Sequence, residues 1–114
     1  MPAPAAARPL RGEVWDVRFP APVNEHPAVV LSANVLCHRL SSVTVVVVTG
    51  NSGPPSTHVP LDAEAGVDRY PASYANATDI HTVPLTRFRR KKGTLATREM
   101  NHLGQAVRAA FDLG

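Results

Sequence analysis

Two short stretches of the chain carry groups able to move a proton or hold a phosphate. In NEHPAVVLS, residues 24–32, His26 stands directly before a proline and an apolar run. In VVVVTGNSG, residues 45–53, Thr49 closes a β-branched run and opens onto Gly50, Asn51 and Ser52. Histidine is the side chain whose charge ordinarily changes near neutral pH. A hydroxyl at a strand end beside a glycine-containing turn sets O–H and backbone N–H donors against an anion. That kit suits phosphodiester cleavage through an adjacent 2′-hydroxyl. The reaction needs a base for the hydroxyl proton, an acid for the departing oxygen, and donors for the charge that builds on phosphorus. On residue type alone, Thr49 could equally be a strand terminator and His26 a loop residue.

The missing motifs narrow the chemistry. The sequence holds no GxGxxG, no P-loop, no CxxC pair and no HExxH. The histidines at 26, 38, 58, 81 and 102 never fall at ligand spacing on one element, and Cys37 and His38 would point to opposite faces of a strand. This argues against a metal site and for catalysis without a cofactor. The lone cysteine, in NVLCHRL, excludes an intrachain disulfide, fits a reducing cytoplasm, and reads as a small buried hydrophobe.

The elements that must position these groups are short strands. In GEVWDVRF, Val14, Asp16 and Arg18 share one face while Trp15, Val17 and Phe19 share the other. PAPVNEHP, residues 20–27, reads as a loop punctuated by three prolines. AVVLSA and SVTVVVVT are β-branched runs of the kind that fill a small barrel or sandwich. GNSGPPS is a loop, THVPLD resumes a strand pattern, an irregular stretch follows, and SYANATDIHTV suggests a further strand. The period then changes. In TREMNHLGQAVRAAFDL, Met100, Leu103, Val107, Ala110 and Phe111 recur at helical spacing, with Thr97 expected as N-cap. Five to seven short strands and a C-terminal helix make a small α+β domain with an SH3-like barrel.

With 114 residues the chain is sized for one domain. MPAPAAARPL, residues 1–10, reads as a disordered alanine–proline tail, and residues 11–114 as the folded domain. No segment has the length and apolarity of a membrane span, so a cytoplasmic protein is expected. The charge is uneven. Residues 1–62 hold four basic and four acidic side chains, whereas residues 63–114 hold eight and five, with the excess in RFRRKK, residues 87–92. A localised basic patch suggests an anionic partner, with nucleic acid ahead of a membrane surface.

The order of motifs adds a further reading. RGEVW at 11–15, HPAVVLS at 26–32, VVVVT ending at Thr49, THVPL at 57–61 and DIHTVPLTRF at 79–88 precede an amphipathic helix. Together they resemble the MazF/PemK (Kid-like) toxins of toxin–antitoxin pairs across residues 11 to about 112. The resemblance implies a dimer that cleaves single-stranded RNA at short sequences without metal, leaving 5′-hydroxyl ends. It also implies an antitoxin whose acidic, disordered tail blocks the dimer. Thr49 matches the family's catalytic threonine. The family's other catalytic position, an arginine before the proline of the second strand, is held here by His26.

Catalysis is therefore expected from His26 and Thr49. RNA binding is expected from Glu25, Ser32, Gly50, Asn51, Thr78, Asp79, His81, Arg89 and Arg90, with Glu25 either fixing the His26 tautomer or pointing away. Bases of single-stranded RNA are read at their edges by such polar groups. Two alternatives share the fold: a CcdB-type gyrase poison without nuclease activity, and a non-catalytic RNA-binding remnant.

Overall fold

The computed structural model describes residues 8–114. Six strands form one antiparallel sheet in the order β4-β5-β3-β2-β1-β6. They are β1 (Glu13–Arg18), β2 (Glu25–Val30), β3 (Ser42–Thr49), β4 (His58–Pro60), β5 (Tyr74–Pro84) and β6 (Phe88–Thr94). Two helices complete the fold, α1 (Asn34–Arg39) and α2 (Thr97–Ala110). Residues 1–7 of the expected tail lie outside the described residues. Packing has begun by Pro9, which is fully buried, and the Leu10 N–H donates to Glu13 Oε1 at 2.7 Å.

The sheet buries apolar side chains on both faces. Val14, Val29, Val46 and Val48 lie under α2 with Leu103 and Ala106. Val17, Phe19, Ala28, Val30, Val43, Val45 and Val47 form a second cluster inside the curl of the sheet, with Cys37 from α1. Two cores explain why β3 is apolar at consecutive positions instead of alternating. The sheet is open, but it curls far enough to bring Phe19, just after β1, edge-on to His81 of β5 at 5.3 Å.

Three sequence expectations change. The proline-rich loop ends at Asn24, whose positive φ of 56° turns the chain, so Glu25, His26 and Pro27 belong to β2. NVLCHR forms the short helix α1, which its mixed β-branched and polar composition did not announce. At α2 the N-cap is Ala96, not Thr97. Glu99, buried at 4% exposure, accepts the Ala96 N–H at 2.7 Å and the Asp62 N–H at 2.7 Å. One carboxylate thus caps the helix and ties it to the segment after β4.

Asp62 also begins the long connection from β4 to β5. Behind it come a 3₁₀ turn at Ala63–Ala65 and Gly66, held left-handed at φ 72°. A β-carbon on Gly66 would collide with the Lys92 carbonyl oxygen. The Leu61 N–H donates to the Ser73 carbonyl at 3.0 Å, closing the base of the excursion 62–72.

Candidate active site

Strand pairing brings His26 and Thr49 together. Ala28 opposes Val47 in the β2–β3 ladder, so two residues further His26 falls opposite Thr49 on the face inside the curl. The His26 ring is pinned on three sides. Nε2–H donates to the Val48 carbonyl at 2.7 Å, Tyr70 Oη lies 3.3 Å from the same nitrogen, and Arg69 Nη1 donates to Nδ1 at 3.2 Å. A guanidinium can only donate, so Nδ1 is the acceptor and the hydrogen sits on Nε2. The partners thus select one neutral tautomer, with its lone pair on Nδ1.

Arg69 Nη1 also donates to the Glu25 carbonyl at 3.0 Å. Its guanidinium lies 5.9 Å from the Tyr70 ring centre. Among the described residues, no ion pair engages Arg69. The side chain is exposed beside His26 and shares a cleft with the carboxylates of Asp16, Glu25 and Asp68 without closing an ion pair to any of them. The Tyr70 ring fills the space above Gly50, whose missing side chain makes room for it. Thr49 Oγ1 accepts the Asn51 N–H at 3.1 Å, which spends that amide and leaves the threonine O–H free to donate.

The other expected residues divide by face and distance. Glu25 neighbours His26 in β2, so its side chain points to the opposite face. There it lines a cleft of about 270 Å³ with Asp16, Pro27, Asp68, Arg69 and Lys92. The backbone carbonyl of Glu25, rather than its carboxylate, joins the site, so this carboxylate does not orient His26. Asp79 and His81 pair at 2.7 Å, and His81 opposes Val45 on the same sheet face as Thr49. Four residues of β3 separate them, about 13 Å. Phe19, Arg18 and Arg87 surround His81 in a second groove.

Ser32 lies past the far end of β2 from His26, where its Oγ accepts the Thr44 N–H at 2.9 Å. Thr78 donates to Asn76 Oδ1 at 2.7 Å and borders the C-terminal end of α2, on the other side of the sheet. The basic run forms edge strand β6, and most of its charge is matched. Arg90 and Lys92 reach Asp16 at 3.4 and 4.0 Å, and Lys91 reaches Glu13 at 3.0 Å. Arg89 stays exposed, without an ion pair among the described residues. The structure therefore brings His26, Thr49, Gly50 and Asn51 together, places Asp79 and His81 further along the same face, and leaves Ser32, Thr78, Arg89 and Arg90 outside.

Sequence reading missed Arg69 and Tyr70. They fall in DAEAGVDRYPAS, which has no periodicity. Its length was the available signal, since long irregular connections in small domains are enriched in function. Among the described residues, no three histidine, cysteine, aspartate or glutamate side chains converge as metal ligands, and no helix is long and apolar enough to cross a membrane.

Comparison with known proteins shows which family shares this fold. Residues 10–111 match the family described as "PemK-like, MazF-like toxin of type II toxin-antitoxin system". The Mycobacterium tuberculosis protein "Probable endoribonuclease MazF2" is 30% identical over 101 residues, 88% of this chain and 95% of its own. The solved "Mycobacterium tuberculosis toxin MazF-mt6" superimposes with a TM-score of 0.79 at 25% identity, covering 90% of this chain and 98% of the other. A solved "Endoribonuclease in complex with its cognate antitoxin from Mycobacterial species" has a TM-score of 0.81 at 23% identity, covering 93% and 97%.

Proposed function

Since the chain belongs to the PemK-like, MazF-like toxins of type II toxin–antitoxin systems, we propose that it cuts single-stranded RNA where His26 faces Thr49. It is an endoribonuclease, like the M. tuberculosis relative with which it shares nearly its whole length. The observation that carries the site is the held imidazole of His26, with its Nδ1 lone pair on the sheet face that ends in Thr49.

The chemistry follows from that corner. His26 Nδ1 takes the proton of a 2′-hydroxyl, and the oxygen attacks the adjacent phosphorus. Thr49 O–H donates to a phosphoryl oxygen as charge builds there. The 5′ oxygen departs and collects a proton from water, leaving a 2′,3′-cyclic phosphate and a 5′-hydroxyl. The nucleophile is supplied by the RNA itself, so the step requires no metal-bound hydroxide. Gly50 and Asn51 border the scissile phosphate, and Asp79 and His81 contact a base further along the same face. Exposed Arg89 attracts the polyanion without reading its sequence.

The partner is an antitoxin that covers this site, consistent with a structural neighbour solved with its own antitoxin. An acidic tail suits the exposed arginines of β6. The active form is a homodimer in the cytoplasm, where its RNA lies. Incubation with a long mixed-sequence RNA in EDTA, followed by mapping of 5′ ends, tests the reading. Recurrent 5′-hydroxyl ends at one short sequence are expected. Intact RNA, or 5′-phosphate ends, would overturn it, and an inert protein that inhibits gyrase would favour the CcdB-type alternative.

A further inference from the structure

The neutral His26 tautomer that can act as a base has its lone pair on Nδ1, and in the free protein that lone pair is occupied by Arg69. Resting on the RNA-cleaving reading of this corner, we infer that Arg69 is a third catalytic residue. It caps His26 Nδ1 in the free protein, then transfers to the scissile phosphate when RNA binds and exposes the base.

Three observations support the transfer. First, the contact to be given up is weak. It is a 3.2 Å bond from a guanidinium to a neutral ring nitrogen, whereas a phosphate offers charged oxygens that a guanidinium grips at two points. Second, no ion pair among the described residues holds Arg69 back. Its other hydrogen bond goes to the Glu25 carbonyl, its guanidinium lies 5.9 Å from the Tyr70 ring centre, and the carboxylates of Asp16, Glu25 and Asp68 share its cleft without an ion pair to it. Both Nη1 bonds use the same nitrogen, so Nη2 and Nε remain available to the incoming anion. Third, His26 does not depend on Arg69 for its position. Nε2 stays on the Val48 carbonyl at 2.7 Å and beside Tyr70 Oη, so the ring remains oriented after the guanidinium leaves.

The transfer couples two requirements of the reaction. The cation arrives at the phosphate where negative charge develops, and the base becomes free only when a phosphate is present. The balance of the step is unchanged. The 2′-O–H proton goes to Nδ1, the 2′-O–P bond forms, the P–5′-O bond breaks, and the 5′ oxygen takes its proton from water. Arg69 contributes charge and keeps its own protons.

The test uses the full-length protein and an RNA that the wild type cuts, together with the same RNA carrying a 2′-O-methyl group at the cleaved nucleotide as an uncleavable probe. Arg69→Ala should lower the single-turnover rate about 10²–10³-fold, the usual loss for one donor to a transition state. It should also weaken binding of the uncleavable RNA and reduce its log–log salt slope by about 0.7, for one phosphate contact. Arg69→Lys should recover part of the binding but little of the rate, because an ammonium cannot grip two phosphate oxygens. In the wild type, the ¹⁵N resonance of His26 Nδ1 should change on saturation with the uncleavable RNA, while Nε2 stays protonated. In Arg69→Ala, Nδ1 should start from the uncapped position. Wild-type cleavage with an equally active Arg69→Ala, or an Nδ1 signal that RNA leaves unmoved, would overturn the role of Arg69 alone. An inert wild type would instead overturn the RNA-cleaving reading on which it rests.

Discussion

The Tyr70 ring occupies the space that a side chain at Gly50 would need: a β-carbon there would collide with Tyr70 Cδ1 and stand 2.6 Å from Cγ. The loop bearing Arg69 is thereby seated on the turn that follows Thr49, and the Tyr70 hydroxyl reaches His26 from that seat. Gly50→Ala should displace the ring, costing about 1–3 kcal/mol as overpacking does, and should carry Arg69 away from His26. Urea denaturation and single-turnover cleavage should both register the change. An unchanged midpoint together with an unchanged rate would mean that the loop does not rest on Gly50.

Periodicity decides how much of this is legible in the sequence. The boundaries of β3 follow from a β-branched run between a serine pair and a glycine. The start of β2 does not, because Pro27 reads as loop. A proline is nonetheless tolerated near a strand end, and the β2–β3 ladder begins only at Ala28. FRRKKGT reads as a solvated charge run. It is both that and the edge strand β6, where charge discourages pairing with other chains. His26 and Thr49 stand out by residue type and motif order. Arg69 and Tyr70 do not, because their place is set by tertiary contacts around Gly66 and Ser73 that leave no local pattern.

Glu99 offers a test of the anchoring behind that loop. Its two oxygens accept the Ala96 and Asp62 amides in a buried setting. Glu99→Ala leaves both amides without that acceptor. Because Asp62 is exposed and Ala96 half-buried, water can meet them in part, so each loss should fall at or below the low end of the roughly 1–3 kcal/mol of a fully buried unsatisfied donor. A measurable loss of stability in denaturant is expected, with Glu99→Gln losing less because one carbonyl oxygen can still accept. If the two variants unfold at the wild-type midpoint, the bridge between α2 and the loop contributes nothing.

Glu13 sets an acid limit on stability. Burial opposes its charge, but the Leu10 amide, the Trp15 indole N–H and the Lys91 ammonium offset that, and together they hold its carboxyl below the usual range. A carboxyl lowered on folding contributes stability that is present above its unfolded pKa and lost as pH falls through the folded one. The unfolded value for glutamate is about 4.3. Thermal midpoints should therefore fall as the pH drops from that value downward, and Glu13→Gln should flatten this part of the curve. An identical acid profile in the variant would remove Glu13 as the cause.

His26 does two separable things in the structure, and one substitution can part them. Its ring bridges Val48 and Arg69 as a hydrogen-bond donor on one side and an acceptor on the other, and it is the proposed proton acceptor. A glutamine amide offers a donor and an acceptor too, but it cannot take a proton at neutral pH. His26→Gln should keep the fold and the thermal midpoint near wild type while the rate falls roughly 10²–10⁴-fold, the usual value of a general base. His26→Ala should lose similar activity and some stability as well, since the Val48 carbonyl and Arg69 lose a partner. The wild-type rate should decline on the acid side, where a protonated ring cannot accept the 2′-hydroxyl proton, and neither variant should show that limb. His26→Arg should restore charge at the corner without restoring an accepting nitrogen, so any recovered rate should lack the histidine limb. A glutamine variant that cleaves at the wild-type rate with the same pH profile would reduce His26 to a bridge. The proton would then have to be taken by another group, with His58, level with the Val48 end of β3, and His81, opposite Val45, the imidazoles to test.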